Sequence, residues 1–209
     1  MRRKHSISRA MTLAILLSTA AFAPSAFAQD APTEEAGLED IYVVAQRRSE
    51  NLQDVPVAAS TLDDERIATL VSGGADVLAL AGRVPGLNVE SSNGRVAPRF
   101  YIRGLGNTDF DLAASQPVSV IIDDVVQENV ALKSFPIFDV AQVEVLRGPQ
   151  GSLFGRNTPA GIVNFRSVRP SEEFDAVLNA SYGSFGTSVL DGAVGGGIAP
   201  GVSGRLSLS

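Results

Sequence analysis

The stretch VEVLRGPQGSLFGRNTPAGIVNF, residues 143–165, decides the fold. It holds two β-prone runs, 143–146 and 161–165, with Gly148, Gly151 and Gly155 between them and Gly161 opening the second run. Pro149 and Pro159 sit in the same connection. Glycines at this density mark sharp turns or close backbone approach, and proline stiffens such corners. The stretch predicts two strands with a tightly folded piece of chain between them.

Upstream, VPVAAST (55–61) reads as a strand. Thr61 is a suitable N-cap for a helix over 62–70, with Asp63, Asp64 and Glu65 in its positive first turn. GADVLALAGRVPG reads as a second short helix stopped by Gly82 and Pro85. LNVES is a strand leading to the turn SNGR, RFYIRG is another strand, and VSVIIDDVVQ (118–127) is a continuous β-branched run of the kind found in buried strands. Strands and short helices mix without βαβ alternation. The expectation is an α+β domain with a small mixed β-sheet over residues 49–168.

Downstream the pattern changes. Phe174, Ala176, Leu178, Ala180 and Tyr182 share one face of FDAVLNASY, with Asp175, Asn179 and Ser181 on the other. Leu190, Val194 and Ile198 repeat the pattern, as do Leu206 and Leu208 against Arg205, Ser207 and Ser209. Strands of about ten residues, apolar on one side and joined by tight turns, are the signature of a transmembrane β-barrel. A soluble antiparallel sheet gives a similar signal. Three strands cannot close a barrel, so residues 172–209 are expected to be the first strands of an incomplete one.

At the other end, Arg2, Arg3, Lys4 and Arg9 precede the apolar run AMTLAILLSTAAFA, and Ala26 and Ala28 give an Ala-x-Ala cleavage pattern. The apolar run is shorter than the roughly 20 residues of a membrane-spanning helix, so residues 1–28 read as a signal peptide. Its removal takes four basic residues and shifts the formal charge from −6 to −10. Residues 29–40 are acidic, lack aromatics and read as a flexible linker. IYVVAQ (41–46) then stands as an isolated β-prone segment between polar stretches. It is either a first strand of the domain or a peptide kept free to add to a partner's sheet edge, and its context favours the second.

Composition narrows the chemistry. The acidic balance argues against a nucleic-acid partner. The chain has no Cys, and its one His, His5, lies in the signal peptide. Thiolate nucleophiles, Ser–His–Asp triads and ordinary zinc sites are therefore excluded from the remainder. Asp123 and Asp124 are adjacent, so on a strand they point to opposite faces and do not share a proton; a turn role fits them better. Asn107, Asp109 and Asp111 alternate like the start of a calcium loop, but the required Gly and Glu are missing. No dinucleotide or phosphate-loop fingerprint is present. No catalytic residue, cofactor or metal site is expected.

Taken in order, IYVVA, QRRSENLQDVP, VPGLNV, YIRGLG, VIIDDV and LRGPQGSLFGRNTPAGIVN resemble the N-terminal part of TonB-dependent outer-membrane receptors. The resemblance runs from about residue 41 to the C-terminus. It implies that Ile41, Tyr42, Val43, Val44 and Ala45 form a TonB box, a strand for TonB and its inner-membrane energising complex. It implies that residues 49–168 are the plug of a barrel of about 22 strands, set in the outer-membrane lipid of a Gram-negative bacterium. Arg103, Glu144 and Arg147 match plug positions whose charges help hold plug to barrel wall, with partners expected beyond Ser209. The turns after LNVES, YIRG and VIIDDV are expected at the plug apex, where Asn93, Arg95, Asn107, Asp109 and Phe110 are candidates for contact with an external small-molecule ligand.

The ligand classes implied are ferric siderophores first, then vitamins, metals and carbohydrates. No signalling domain separates signal peptide from box, which argues against a transcription-signalling receptor. Two other readings stay open. One is a lone secreted plug-like binding module, or a truncated receptor that does not transport. The other is a periplasmic hydrolase built on Asp123 or Asp124.

Overall fold

The computed structural model describes residues 41–44, 48–71, 76–92, 94–109, 111 and 114–209. The signal-peptide and linker readings, and Ala45, Gln46, Asn93 and Phe110, lie outside these residues.

The quoted stretch forms the centre of the fold. Strand β8 (Val140–Arg147) runs into a one-turn helix, α2 (Gly151–Phe154), and the chain returns as β9 (Gly161–Ser167), antiparallel to β8. Gly148 N–H donates to Ala160 O at 2.9 Å and Gln150 N–H to Thr158 O at 3.1 Å, closing the connection on itself. Gly161 has φ +144°, and a Cβ there would stand 2.2 Å from the Leu146 carbonyl oxygen and 2.9 Å from Ile102 Cδ1. Only glycine allows the strands to approach so closely at that backbone angle.

Around this pair lie β3 (Ala58–Asp63), β6 (Val118–Ile122) and β7 (Val125–Gln127), in the order β3-β8-β9-β6-β7. The β6–β9 pair is parallel and the others are antiparallel, so the expected mixed sheet is present. Its strand periodicity separates two apolar clusters. Val143, Val145, Val163, Phe165, Val118 and Val120 pack with Leu80, Leu87, Phe100 and Ile102. Leu146, Ile162 and Ile121 pack on the other side with Val43, Val55 and Phe154.

Two local expectations are corrected. The strand expected over 55–61 is β3, 58–63, because Thr61 and Leu62 still pair with Glu144 and Val143. The following helix, α1 (Asp64–Val71), is therefore capped by Asp63, whose Oδ1 accepts from Arg66 N–H at 2.9 Å, and not by Thr61. The run 118–127 is not one strand but the hairpin β6–β7. Asp123 and Asp124 have φ +46° and +68°, the left-handed pair a two-residue hairpin turn requires. The second expected helix is a 3₁₀ turn, Val77–Leu80, capped by Asp76.

The strands LNVE and RFYI form a separate hairpin, β4 (Leu87–Glu90) and β5 (Arg99–Ile102). Its register pairs Glu90 with Arg99 and Leu87 with Ile102. The turn after LNVES and the loop after YIRG consequently leave opposite ends of the hairpin. The Asp123–Asp124 turn lies at the β9 end marked by Ser167, away from Arg147. The three turns expected together at one apex do not gather at one end.

Residues 172–209 build an antiparallel meander: β10 (Asp175–Tyr182), β11 (Ser188–Ala199) and β12 (Val202–Leu208). Ala176, Val194 and Leu206 are cross-strand neighbours on one face; Asp175, Gly195 and Arg205 are neighbours on the other. Leu178, Leu190, Leu206 and Leu208 are exposed. This is the face pattern of strands that meet lipid on one side and plug or water on the other.

Candidate functional site

The segment expected to stand free is docked. Tyr42–Val43 forms β1, paired with β2 (Glu50–Asn51), and Leu52 N–H donates to Ile41 O at 2.8 Å. Val43 is buried against Val55, Ile121, Leu146, Phe154 and Ile162. Tyr42, next to it on the strand, is exposed, as alternation requires, and Ile41, just before the strand, is exposed as well. Burying one valine, worth about 1.5–3 kcal/mol, gives the segment a reason to dock that its polar flanks hide in the sequence.

Glu144 completes the dock. It is fully buried on β8, on the face that carries Leu146. Its Oε1 accepts from Val44 N–H at 2.9 Å, and its Oε2 accepts from Asn164 Nδ2 at 3.0 Å. The Arg166 guanidinium lies 3.9 Å from Oε1. Two residues earlier on β8, Gln142 Nε2 donates to Tyr42 O at 2.8 Å. Two side chains of the central sheet thus grip the backbone of the candidate box, a contact that spans 100 positions of sequence.

Arg147 and Arg103 do other work. Arg147 donates to Ser60 Oγ at 2.8 Å, Pro85 O at 3.0 Å and Ala59 O at 3.2 Å, pinning β3 to the turn before β4. Arg103 is exposed with φ +53°, and its backbone N–H donates to Gly86 O at 2.8 Å. Among the described residues no hydrogen bond or ion pair joins these three charges to β10, β11 or β12, and their expected partners lie beyond Ser209.

The charge contact to those strands is Asp139. Arg205 Nε and Nη2 donate to its two carboxylate oxygens at 2.7 and 2.6 Å, Arg205 Nη1 reaches Asp175 Oδ2 at 2.6 Å, and Ser207 Oγ also donates to Asp139. Arg205's hydrogen bonds hold the Asp139 carboxyl below its usual range against the opposing effect of burial. A signal for it existed. Arg205 is the one basic residue in 172–209, on the polar face of its strand, and a lone inward arginine needs an acid.

The ligand candidates that fall within the described residues are engaged in shaping their loops. Arg95 pairs with Asp76 at 3.1 Å. Asn107 Oδ1 accepts from Asp109 N–H at 2.8 Å, and Asp109 Oδ1 from Asp111 N–H at 3.0 Å. Tyr101's hydroxyl lies 2.8 Å from Glu90 Oε1 and 3.0 Å from Asn107 O, and its single proton serves one of them. Burial first, and the Glu90 carboxylate second, push the Tyr101 hydroxyl above its ordinary pKa. Gly106 makes room for the ring: a Cβ there would stand 2.0 Å from Tyr101 Cδ1. Asp123 accepts from Ser167 N–H at 2.9 Å and from Ser167 Oγ at 2.6 Å, a turn role rather than an acid–base one.

The family described as TonB-dependent Receptor Plug Domain matches residues 51–162, more than half of the chain. The chain belongs to that family. The vitamin B12 transporter BtuB of Photobacterium profundum is 26% identical over 201 residues, covering 94% of this chain and 31% of the relative. The catecholate siderophore receptor Fiu of Escherichia coli K12 is 27% identical over 198 residues, covering 88% and 24%. The pesticin receptor of Yersinia enterocolitica is 35% identical over 88 residues, covering 42% and 12%. Among solved structures, the ferric yersiniabactin uptake receptor FyuA of Yersinia pestis superposes with a TM-score of 0.66 at 23% identity, covering 72% of this chain and 23% of that one. The chain spans a third or less of the length of these relatives. They are transporters and receptors rather than enzymes, which overturns the hydrolase reading. The plug of a TonB-dependent receptor, followed by antiparallel strands, is the fold shown.

Proposed function

We propose that this chain is the front part of an energy-coupled receptor in the outer membrane of a Gram-negative bacterium, importing a scarce external ligand. Residues 41–45 are its TonB box, residues 49–168 its plug, and residues 172–209 the first lipid-facing strands of its barrel. The observation that carries the reading is the docking of β1. It is a two-residue strand, held by its pairing with the two-residue β2, by one buried valine and by two side chains of the plug sheet, a contact small enough to leave without unfolding the domain. TonB, driven by its inner-membrane complex, would then take the released segment as an added strand, through backbone hydrogen bonds.

The relatives are named for vitamin B12, for a catecholate siderophore and for ferric yersiniabactin. A ferric siderophore is accordingly the first ligand class to test, with vitamins and carbohydrates next. The experiment is uptake of labelled ligand by the receptor carrying this chain, with and without residues 41–45. Loss of uptake with retained binding supports the reading, and unchanged uptake refutes it. A lone plug-like module would bind without any uptake to lose.

A further inference from the structure

A polar cavity of about 140 Å³ lies beside the start of β6, lined in part by Gln116, Ser119, Gln127, Glu128, Lys133 and Arg156. Lys133 ends the 3₁₀ turn Val130–Lys133 and is only 2% exposed. Its Nζ has one long hydrogen bond, 3.5 Å to Val118 O, and no carboxylate within ion-pair distance among the described residues. Glu128, the nearest acid lining the cavity, is taken in a two-pronged contact by the Arg156 guanidinium. Gln116 is 4% exposed, and its Oε1 has no hydrogen-bond partner among the described residues. A buried ammonium with unused donors and a buried carbonyl oxygen with no donor both cost stability when left so.

The cavity is also well placed. The start of β6 pairs with the start of β9, and Gly161 there pairs with Arg147 at the end of β8. Asp139, which meets Arg205, precedes the opposite end of β8. Arg205 also meets Asp175, the first residue of β10, on the side of the meander where a two-residue turn joins β11 to β12, and short turns mark the periplasmic side of such barrels. On the receptor reading, this puts the cavity at the outward end of the plug sheet.

We propose that this cavity is a subsite for a small hydroxylated oxyanion: the Lys133 ammonium takes an oxyanion oxygen, and Gln116 Oε1 accepts from a hydroxyl on the same group. One occupant then satisfies the unused donors of Lys133 and the unpartnered oxygen of Gln116. The volume, that of about four or five waters, suits a hydroxycarboxylate headgroup. The inference rests on the receptor reading for one of its two sources, a group pendant on the imported ligand; a free oxyanion from solution carries the same chemistry.

The full 209-residue chain in detergent is titrated with glycolate, acetate and inorganic phosphate while the Lys133 side-chain NMR signal is followed. Glycolate is expected to shift that signal in a saturable way and to bind about tenfold more tightly than acetate, which lacks the hydroxyl. K133M abolishes binding of both. Q116L leaves acetate binding unchanged and reduces glycolate to the acetate level, a readout that a damaged fold does not produce. No saturable shift with glycolate or phosphate, or equal affinities of glycolate in the wild type and Q116L, overturns the proposal. The receptor carrying K133M then separates the sources: a raised KM for uptake with kcat retained indicates a pendant group, and unaltered uptake a free oxyanion. Uptake insensitive to removal of residues 41–45 defeats the receptor reading and leaves the titration standing.

Discussion

Replacing Glu144 with Gln tests the dock at its most sensitive point. Both carboxylate oxygens accept, Oε1 from Val44 N–H and Oε2 from Asn164 Nδ2. A neutral amide retains one oxygen and places an NH₂ against the other donor. Asn164 is buried on the neighbouring strand, whereas Val44 belongs to a segment that can withdraw. The loss falls on Val44. A hydrogen bond to a charged group is worth about 1.5–3 kcal/mol, so the undocked population of β1 rises about 10- to 150-fold. Amide hydrogen exchange at Val44 reads this directly, with Val163, paired on both sides in the central sheet, as the reference. The expected result is faster exchange at Val44 with Val163 unchanged, since β1 opens as a local unit. Unchanged exchange at Val44, or parallel acceleration at Val163, refutes the reasoning.

Three further substitutions follow from the same geometry. G161A forces a Cβ against the Leu146 carbonyl at a backbone angle alanine resists, and chemical denaturation should show a loss of about 2–6 kcal/mol from strain and overpacking together. D139A leaves the buried Arg205 guanidinium without its two-pronged partner; a cost of about 3 kcal/mol is expected, with partial recovery on adding R205M. Burial lowers the Lys133 pKa to about 8, opposed by the Glu128 charge. The folded protein therefore binds this proton less readily than the unfolded chain, so stability is greatest above about pH 10.5, falls as pH drops toward 8 and is flat below. K133M should remove that slope and stabilise the protein near pH 7 by about 3 kcal/mol, read from denaturation midpoints across pH.

Much of this was legible in the residues. β8 and β9 declare themselves through β-branched alternation around a Gly- and Pro-rich connection, and the strands after residue 172 through their ten-residue rhythm. The break of 118–127 at Asp123–Asp124 was hidden because aspartates in left-handed geometry lack the Asn-Gly signal of a hairpin turn. The α1 boundary slipped by two residues because strand pairing with β8 outweighed Thr61's capping preference. Long-range partners were the least legible. The grip of Glu144 on Val44 and of Asp139 on Arg205 depends on chain segments far apart in sequence, which no local period records. The resemblance placed Glu144 among charged plug residues with barrel partners beyond Ser209; its contacts to Val44 and Asn164 were not legible from it.

The central claim is that β1 must leave the plug before TonB can take it. Tyr42 and Asn51 are cross-strand partners in β1–β2, and the chain has no native cysteine to interfere. The most direct measurement is binding of the C-terminal domain of TonB to the Y42C/N51C chain, oxidised and then reduced. The account predicts no binding while the disulfide holds β1 on β2, and binding restored by reductant to the level of the reduced control. Equal binding in both states, or binding that survives deletion of residues 41–45, would contradict it.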